Sequence, residues 1–444
     1  MNSTTSEEGT SNPSSPPRRC GPGRPKRLRA ASLDPEAEVL LNMLNFMKRK
    51  PVNRFNFRQH RLAWRLSALA LGRADAVARV ETRSIPGPYA PIRMKVYRPS
   101  LTAEAAPAFL WFHGGGFMMG GLATADAICR HIAAASGVMV VAVRYRLAPE
   151  HDLYAGRADC MAALDWIVRE GSLLGIDSTR LAVGGDSAGG NLAAAVAQRH
   201  VEQGGTALRL QVLAYPATNL LDDFASKAEN AGGYVLTSEG IDAIRRLITQ
   251  GRTDLANPWI SPAFTRELRD LPPALVVTAG FDPIRDDGLA YAGRLREAGV
   301  PVELLHYAGQ FHGFLNFDGV LRAARDALDR IGAALRLGLA TPAGEAAAPA
   351  DRTIELSAPC RDDVAWAGLP MSRNLAIAWL MLGERLESWR WTMIHRTLTD
   401  IGWTVALSAF PLFNPVSVCR GLLGHYFAPI QAIETWHGNA HGSA

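Results

Sequence analysis

From about residue 92, short runs of apolar residues alternate with longer stretches of helical periodicity. Uninterrupted apolar runs are typical of strands that are buried on both faces. The stretches between them, such as residues 159–169 and 191–203, carry apolar residues at helical spacing. The predicted strands are Ala108–Phe112, Val138–Val143, Leu181–Val183, Leu210–Ala214, Ala274–Ala279 and Val302–Leu305. This alternation predicts a doubly wound α/β domain, with a mostly parallel central sheet and helices on both faces.

Two amphipathic helices are predicted ahead of this domain. The first begins with Asp34 as its N-cap and Pro35 at the first helical position, and Pro51 ends it. In the second helix we expect arginines on one face and apolar side chains largely on the other. These residues are Arg54, Arg58, Arg61 and Arg65, and Phe55, Leu62, Leu66 and Leu69. Such a helix can lie on a membrane, but we favour a helix packed on the protein with one solvated face.

Composition changes along the chain and indicates its organisation. Residues 1–32 contain almost no large apolar side chains, so we expect a disordered basic tail. Residues 33–90 carry the two helices, and residues 91–340 form the α/β domain, with a mostly helical insertion at 218–262. After residue 340, a Pro- and Ala-rich linker leads into a Trp-rich extension; the sequence assigns no fold to residues 341–444.

Basic charge is concentrated in the N-terminal segment. Residues 1–100 carry 19 Lys and Arg against 7 Asp and Glu, a net charge of +12; the whole chain is +5, so the remainder is −7. Gly21–Arg27 is similar to the AT-hook motif of DNA-binding proteins, but Pro22 and Gly23 stand where that motif has an arginine. Because no basic stripe crosses the folded part, we expect a solvated tail and no nucleic-acid partner.

The overall composition excludes several classes of protein. With 48% hydrophobic and 20% charged residues, the chain is globular and not wholly disordered. The absence of closely spaced cysteines excludes a disulfide scaffold and a four-thiolate zinc module. The cysteines are Cys20, Cys129, Cys160, Cys360 and Cys419. No apolar segment typical of a signal peptide occurs in the first 32 residues, so we expect a cytoplasmic protein.

The Trp-rich extension is open to more than one interpretation. It holds six of the ten tryptophans, and no residue between Asp400 and Arg420 is charged, which favours membrane association. However, Pro411, Asn414 and Pro415 interrupt this stretch, which falls short of a spanning helix. We therefore favour packing on the α/β domain or in a homo-oligomer interface.

A nucleophile motif follows one of the predicted strands. Gly185–Gly190 reads GDSAGG and lies between the strand at 181–183 and a predicted helix. Small residues such as Gly185 and Gly189 permit a sharp turn that raises the Ser187 hydroxyl above the sheet, as in a nucleophile elbow. Ala188 can then donate its backbone N–H to the oxygen of the reacting group.

A run of glycines ends an earlier strand, about 70 residues upstream. His113 is followed there by Gly114, Gly115 and Gly116. Consecutive glycines let backbone N–H groups point inward, where they stabilise the oxyanion of a tetrahedral intermediate. We expect His113 to brace this loop. We do not expect it to act as the base, because it precedes Ser187, whereas in this kind of triad the histidine follows the serine and the acid.

A serine nucleophile requires a base, and the base requires a carboxylate that holds its tautomer. Asp282 follows the strand at 274–279, and His312 follows the strand at 302–305. Both residues lie beyond the carboxyl ends of strands, where open α/β sheets place their sites. The order Ser, Asp, His is also the one expected after a nucleophile elbow.

The other candidate residues indicate no second site. His306 continues its strand, and Asp286 and Asp287 are expected to cap a helix or to pair with Arg285. The eleven histidines include no His-x-x-x-His pair with a useful third ligand, and no phosphate-binding loop follows a strand. We therefore expect no metal and no cofactor.

Taken in order, these motifs resemble those of the hormone-sensitive-lipase family of bacterial esterases, which has the α/β-hydrolase fold. The resemblance covers about residues 33–340. The residues that carry it are His113–Gly116, Tyr145–His151, Gly185–Gly190, Tyr215-Pro216, Asp282–Asp286 and Phe311–Phe314. It implies a triad of Ser187, Asp282 and His312, with oxyanion donors in the backbone N–H groups of Gly115, Gly116 and Ala188. It also implies that the early helices and the 218–262 insertion form a helical cap over an acyl pocket.

The leading hypothesis is a serine carboxylesterase that hydrolyses small-molecule esters of short to medium acyl length through an acyl-enzyme. An amidase or deacetylase with the same triad stays open, because the sequence does not separate leaving groups. A non-catalytic small-molecule receptor is a remote alternative, since the receptors of this family have an incomplete triad and all three members are present here.

Overall fold

The predicted alternation of strands and helices is present along the chain. The computed structural model describes residues 24–46, 51–101, 105–232, 234–251, 253–340, 350–357 and 431–436. The strands are β1 (Arg79–Ile85), β2 (Ile92–Arg98), β3 (Ala106–Phe112), β4 (Met139–Arg144), β5 (Ile176–Asp186), β6 (Leu210–Ala214), β7 (Ala274–Phe281), β8 (Val302–Phe311), β9 (Arg352–Ser357) and β10 (Gln431–Trp436). The helices are α1 (Pro35–Phe46), α2 (Phe57–Leu71), α3 (Asp126–Ser136), α4 (Leu153–Glu170), α5 (Ala188–Glu202), α6 (Ala225–Glu229), α7 (Ser238–Thr249), α8 (Arg285–Glu297) and α9 (Arg322–Leu339).

These strands form one sheet in the order β1-β2-β4-β3-β5-β6-β7-β8-β9-β10. Seven neighbouring strands, from β4 through β3 and β5 to β9, are parallel to one another. β1, β2 and β10 pair antiparallel to their neighbours at the two ends of the sheet. Because the strands are mostly parallel, the carboxyl ends of β5, β7 and β8 meet at one edge, where the candidate residues follow them.

Both faces of the sheet are covered, as its continuous apolar strands predict. In β3, Phe109 and Trp111 point into a core formed with α1, α3 and α9, whereas Leu110 and Phe112 point into a core formed with α4, α5 and α8. Successive side chains of a strand point to opposite faces, so a strand that is apolar at every position serves two cores. The predicted fold class is therefore confirmed.

Part of the N-terminal segment that was predicted to be disordered has a defined structure. Residues 24–32 are described by the structure, although the composition predicted disorder through residue 32. Residues 1–23, which include the first three residues of the AT-hook-like motif, lie outside the described residues. The backbone N–H of Ala30 donates to the Ala308 carbonyl at 2.9 Å, and the buried His306 ring contacts the Leu28 carbonyl at 2.9 Å. Residues 28 and 30 make these contacts with their main-chain groups, which every residue has, so amino-acid composition could not predict them.

Three strands lie outside the residues 91–340 that were predicted to form the α/β domain. β1 lies within residues 33–90, which were predicted to hold helices alone. β9 and β10 belong to the 341–444 segment and extend the sheet beyond β8. The charge-free stretch and all the tryptophans of that extension except Trp436 lie outside the described residues. Among the residues that are described, no helix is long and apolar enough to cross a membrane.

Helix α2 buries a different face from the one predicted. Its leucines Leu62, Leu66 and Leu69 are exposed, at 58%, 57% and 55%. Arg61 instead points towards the α/β domain, where its guanidinium donates to the Ala148 carbonyl at 2.8 Å and to the Glu150 carboxylate at 2.6 Å. At 100° per residue, the arginines and leucines occupy adjacent faces and not opposite ones, so burying Arg61 leaves the leucines outside.

Candidate active site

Ser187 occupies the turn between β5 and α5 in a backbone conformation that is rare for a residue with a side chain. Its φ is 56° and its ψ is −117°. The turn is held by the Ser187 N–H, which donates to the Ala214 carbonyl at 2.8 Å. A Cβ on Gly189 would lie 1.8 Å from the Phe112 carbonyl oxygen, so only glycine fits at that position. Strain of this kind is found where a side chain must be presented at a functional site.

Ser187, His312 and Asp282 form one chain of hydrogen bonds. The His312 Nε2 atom lies 2.9 Å from the Ser187 Oγ, and the His312 Nδ1 atom lies 2.8 Å from the Asp282 Oδ2. Asp282 has no exposed surface, and its Oδ1 accepts from the Ile284 N–H at 2.8 Å. A carboxylate at Nδ1 selects the tautomer that carries its proton there, which leaves Nε2 to accept the proton of the serine hydroxyl.

The glycine loop lies directly against the nucleophile turn. The Gly114 N–H donates to the Asp186 Oδ1 at 2.8 Å, and a Cβ on Gly114 would lie 2.5 Å from the Asp186 Oδ2. Gly115 and Gly116 have φ values of 118° and 59°, which glycine adopts most readily. Burial raises the pKa of Asp186 above its usual value. Gly115, Gly116 and Ala188 line the same cavity as Ser187.

His113 packs against Tyr145 and the glycine loop, whereas the Ser187 hydroxyl bonds to His312. Its ring stacks on Tyr145 with 4.4 Å between the ring centroids, and its Nδ1 lies 2.9 Å from the Gly114 carbonyl oxygen. The Tyr145 hydroxyl donates to the His113 carbonyl at 2.5 Å. Burial lowers the pKa of His113 to about 4, so the ring is neutral at physiological pH.

A cavity of about 650 Å³ opens above Ser187. Residues of α1, α2, α6 and α7 line it together with the glycine loop and the triad. Much of its wall is apolar, and this part includes Leu44, Val52, Trp64, Leu220, Ile241 and Ile248. Ile244 of α7 packs over the glycine loop, since a Cβ on Gly116 would lie 3.1 Å from its side chain. A cavity of this size and character suits a small organic molecule with few polar groups.

The competing residues have structural partners. His306 is buried between the Thr278 hydroxyl and the Leu28 carbonyl, at 2.8 and 2.9 Å. Asp286 accepts from Arg285 at 2.8 Å in the first turn of α8. Within the described part of the chain, no group of His, Cys, Asp and Glu side chains could hold a metal ion.

Three residues near the triad were given no role at the site by the sequence. The expectation that Asp287 caps a helix or pairs with Arg285 is wrong, because its carboxylate bonds to residues 218 and 219. The Asn230 side-chain amide donates to the Asp282 carbonyl at 3.1 Å, and the Tyr215 ring meets the His312 ring with 5.0 Å between centroids. Asp287 is buried beside the cavity, where it accepts from the Thr218 hydroxyl and, at 3.0 Å, from the Asn219 N–H. Burial raises the pKa of Asp287 to about 7. Of the three, only Tyr215 had a signal in the sequence that it lies near the triad. It directly follows a predicted strand and belongs to a motif of the family resemblance.

The mostly parallel sheet carries a hydrogen-bonded Ser, His and Asp beyond the carboxyl ends of its strands, and this arrangement defines an α/β hydrolase. A family model described as the alpha/beta hydrolase fold matches residues 109–316. Esterase LipI of Mycobacterium tuberculosis is 43% identical over 265 residues, which are 59% of this chain and 82% of that protein. Carboxylesterase NlhH of the same organism is 41% identical over 252 residues, 56% of this chain and 79% of the relative. The chain therefore belongs to the hormone-sensitive-lipase-like family of α/β-hydrolase esterases.

Solved structures agree with this assignment. The hyperthermophilic esterase of Pyrobaculum calidifontis matches with a TM-score of 0.66 and 38% identity, over 69% of this chain and 98% of that one. An α/β hydrolase from the metagenome of Lake Arreo matches with a TM-score of 0.67 and 36% identity, over 70% of this chain and 100% of that one. The likeness therefore covers nearly the whole length of these enzymes but leaves about three tenths of this chain unmatched.

Proposed function

We propose that this protein is a serine carboxylesterase that hydrolyses small-molecule esters of short to medium acyl length through an acyl-enzyme. One observation carries the proposal: the His312 imidazole lies 2.9 Å from the Ser187 Oγ on one side and 2.8 Å from the Asp282 carboxylate on the other. The relatives, which are named as esterases and carboxylesterases, support an ester as the substrate.

In the first half of the reaction, Ser187 Oγ attacks the carbonyl carbon of the ester. The Ser187 proton passes to His312 Nε2, and a tetrahedral oxyanion forms. When this intermediate collapses, the bond to the alkoxy group breaks, and the proton on His312 passes to the departing alcohol. The acyl group stays on Ser187 as an ester.

In the second half, water takes the place of the alcohol. His312 Nε2 removes a proton from this water as it attacks the acyl carbon, and the same proton returns to Ser187 Oγ when the acyl bond breaks. The carboxylic acid then leaves. Asp282 stays ionised throughout and stabilises the imidazolium that forms in each half.

The oxyanion is stabilised by backbone N–H groups. We assign this role to Gly115, Gly116 and Ala188, which line the cavity at Ser187. One donor of this type is worth about 3–4 kcal/mol of transition-state stabilisation in a well-characterised protease. His113, Gly114, Gly185 and Gly189 support the two turns that position these donors.

The cavity supports the proposed acyl range. Its volume of about 650 Å³ is walled by apolar residues of α1, α2 and α7, which we assign as the cap. An apolar cavity of this size accommodates an acyl chain of several carbons together with a small alcohol. Ile244 packs over Gly116, so the space beside the reacting carbon is set by a residue of α7.

The proposal is tested with p-nitrophenyl esters from acetate to palmitate. The wild type is expected to hydrolyse the shorter esters, and Ser187→Ala to lose activity by a factor of about 10⁴–10⁶. Ser172→Ala changes an exposed serine on the surface and serves as the matched control. Retention of full activity by Ser187→Ala would refute the mechanism, and turnover of anilides without turnover of esters would identify an amidase instead.

A further inference from the structure

Helix α2 and Phe55, two residues before it, expose a row of apolar side chains. Phe55 is 80% exposed, and Leu62 and Leu66, which lie one helical turn apart, are 58% and 57% exposed. Exposed Arg58 and Arg65 flank the two leucines along the helix surface. Single exposed apolar residues are common, whereas exposed leucines one turn apart on the same side of a helix favour an interaction surface. We call Phe55, Leu62 and Leu66 the apolar row.

The segment of sequence that carries the apolar row has charge of one sign. Residues 39–74 contain eight Lys and Arg and no Asp or Glu, although the chain beyond residue 100 carries a net charge of −7. One of these cations, Arg61, points inward to Glu150. Arg54, Arg58 and Arg65 lie beside the row on the exposed surface. The surface therefore combines apolar insertion with positive charge, which is complementary to anionic lipid headgroups.

The opposite side of α2 forms part of the catalytic cavity. His60 and Trp64 line that cavity together with Ser187. At 100° per residue, His60 and Leu62 are separated by about 160° around the helix axis. A single helix therefore stands between the apolar row and the space in which we place the substrate.

We propose that this face of α2 binds an anionic lipid surface. Phe55, Leu62 and Leu66 enter the boundary between headgroups and acyl chains, and Arg54, Arg58 and Arg65 contact lipid phosphates. Binding in this orientation holds the cavity wall against the lipid, where apolar esters are dissolved. This last consequence rests on the proposed esterase function; the binding itself does not.

The test is co-sedimentation of the full chain with vesicles of phosphatidylcholine, with and without phosphatidylglycerol. Binding is expected only with phosphatidylglycerol and is expected to weaken as salt screens the arginines. Leu62→Gln with Leu66→Gln is expected to weaken it at least about tenfold. Arg58→Gln with Arg65→Gln is expected to weaken it about thirtyfold, since one basic residue near an anionic surface contributes about fivefold.

The matched control is Leu173→Gln with Leu337→Gln, which removes two leucines that are 74% and 64% exposed elsewhere on the protein. This variant is expected to bind like the wild type. Ser187→Ala is expected to bind normally too, so failure of the esterase proposal would leave this result intact. The two α2 variants and the Leu173 and Leu337 control should hydrolyse a water-soluble ester at the wild-type rate.

Three outcomes would overturn the proposal. The first is equal sedimentation of the wild type and the α2 leucine variant. The second is a change in hydrodynamic size of the leucine variant with no change in vesicle binding, which would make the row a contact between two copies of the chain. The third is DNA binding that depends on Arg58 and Arg65 but not on the leucines, without vesicle binding.

Discussion

The Asp186 carboxylate accepts a hydrogen bond of 2.8 Å from the backbone N–H of Gly114, 72 residues earlier in the chain. This bond joins the nucleophile turn to the glycine loop at the point where both face the cavity. Asn316, four residues after His312, donates to the other oxygen of the same carboxylate at 3.4 Å. One buried carboxylate therefore contacts all three segments that carry the proposed nucleophile, base and oxyanion donors.

Replacing Asp186 should affect both stability and turnover. Asp186→Ala leaves the buried Gly114 N–H without its acceptor, which should cost about 1–3 kcal/mol of unfolding free energy. We also expect about a tenfold lower kcat with little change in KM, because the displaced donors act mainly in the transition state. Urea unfolding and ester kinetics measure the two effects. Asp186→Asn keeps an acceptor oxygen and should lose less of both; equal losses in the two variants would contradict this account.

Gly189 and Gly293 provide a matched pair of glycine substitutions. A Cβ on Gly189 would lie 1.8 Å from the Phe112 carbonyl oxygen, whereas a Cβ on Gly293 has no heavy atom within 4 Å. Gly189→Ala should therefore cost about 3 kcal/mol or more, or prevent folding. Gly293→Ala, within α8, should be neutral or stabilising by up to about 1 kcal/mol. Thermal unfolding distinguishes them, and similar melting temperatures would show that the turn can relax.

Arg61 anchors α2 to the α/β domain through several acceptors. Its guanidinium donates to the Met118 carbonyl at 2.5 Å, the Ala148 carbonyl at 2.8 Å and the Glu150 carboxylate at 2.6 Å. Arg61→Gln should destabilise the protein by about 1–3 kcal/mol because carbonyl acceptors lose their donor. Glu150→Gln removes only the half-exposed ion pair and should cost about 1 kcal/mol or less. If unfolding experiments give the two variants the same loss, the ion pair and not the carbonyl contacts holds the helix.

The buried Asp287 carboxyl should make stability depend on pH. Its folded pKa of about 7 lies above its unfolded value of 3.8, so between these values the folded protein holds a proton that the unfolded chain releases. Its stabilising contribution is thus complete at low pH and is lost as the pH rises through 7. The unfolding free energy of the wild type, relative to Asp287→Asn, should fall by roughly 3 kcal/mol between about pH 5 and pH 8. Urea unfolding of both proteins at the two pH values measures this difference, and a constant difference would contradict it.

The hydrogen-bonded grouping of Ser187, Asp282 and His312 could be anticipated from the sequence because their positions follow from local patterns. Each strand that leads to Ser187, Asp282 or His312 is a continuous apolar run, and parallel strands bring the residues after them to one edge. The predicted runs are shorter than β5 and β8, since polar residues at strand ends do not carry the apolar signal.

Long-range contacts were harder to predict. Periodicity identified α2 but not the face it buries, because the acceptors for Arg61 come from residues 118 to 150. Asn230 lies 52 residues before Asp282, and nothing in its own surroundings in the sequence indicates that its amide contacts the Asp282 carbonyl. The burial of Asp287 is likewise a property of the assembled domain and not of its helix.

The position of β8 has a consequence for the order in which the protein is completed during synthesis. Partners for this strand come from segments that lie far apart in the sequence: Ala30 and Asp34 bond to its Ala308 and Gly309 carbonyls, and β9 pairs along its outer side. Arg27 even donates to Glu355, 328 residues later. Residues 27–34 therefore cannot complete these contacts until β8 and β9 have been synthesised, and His312, which directly follows β8, cannot reach Ser187 before β8 is made.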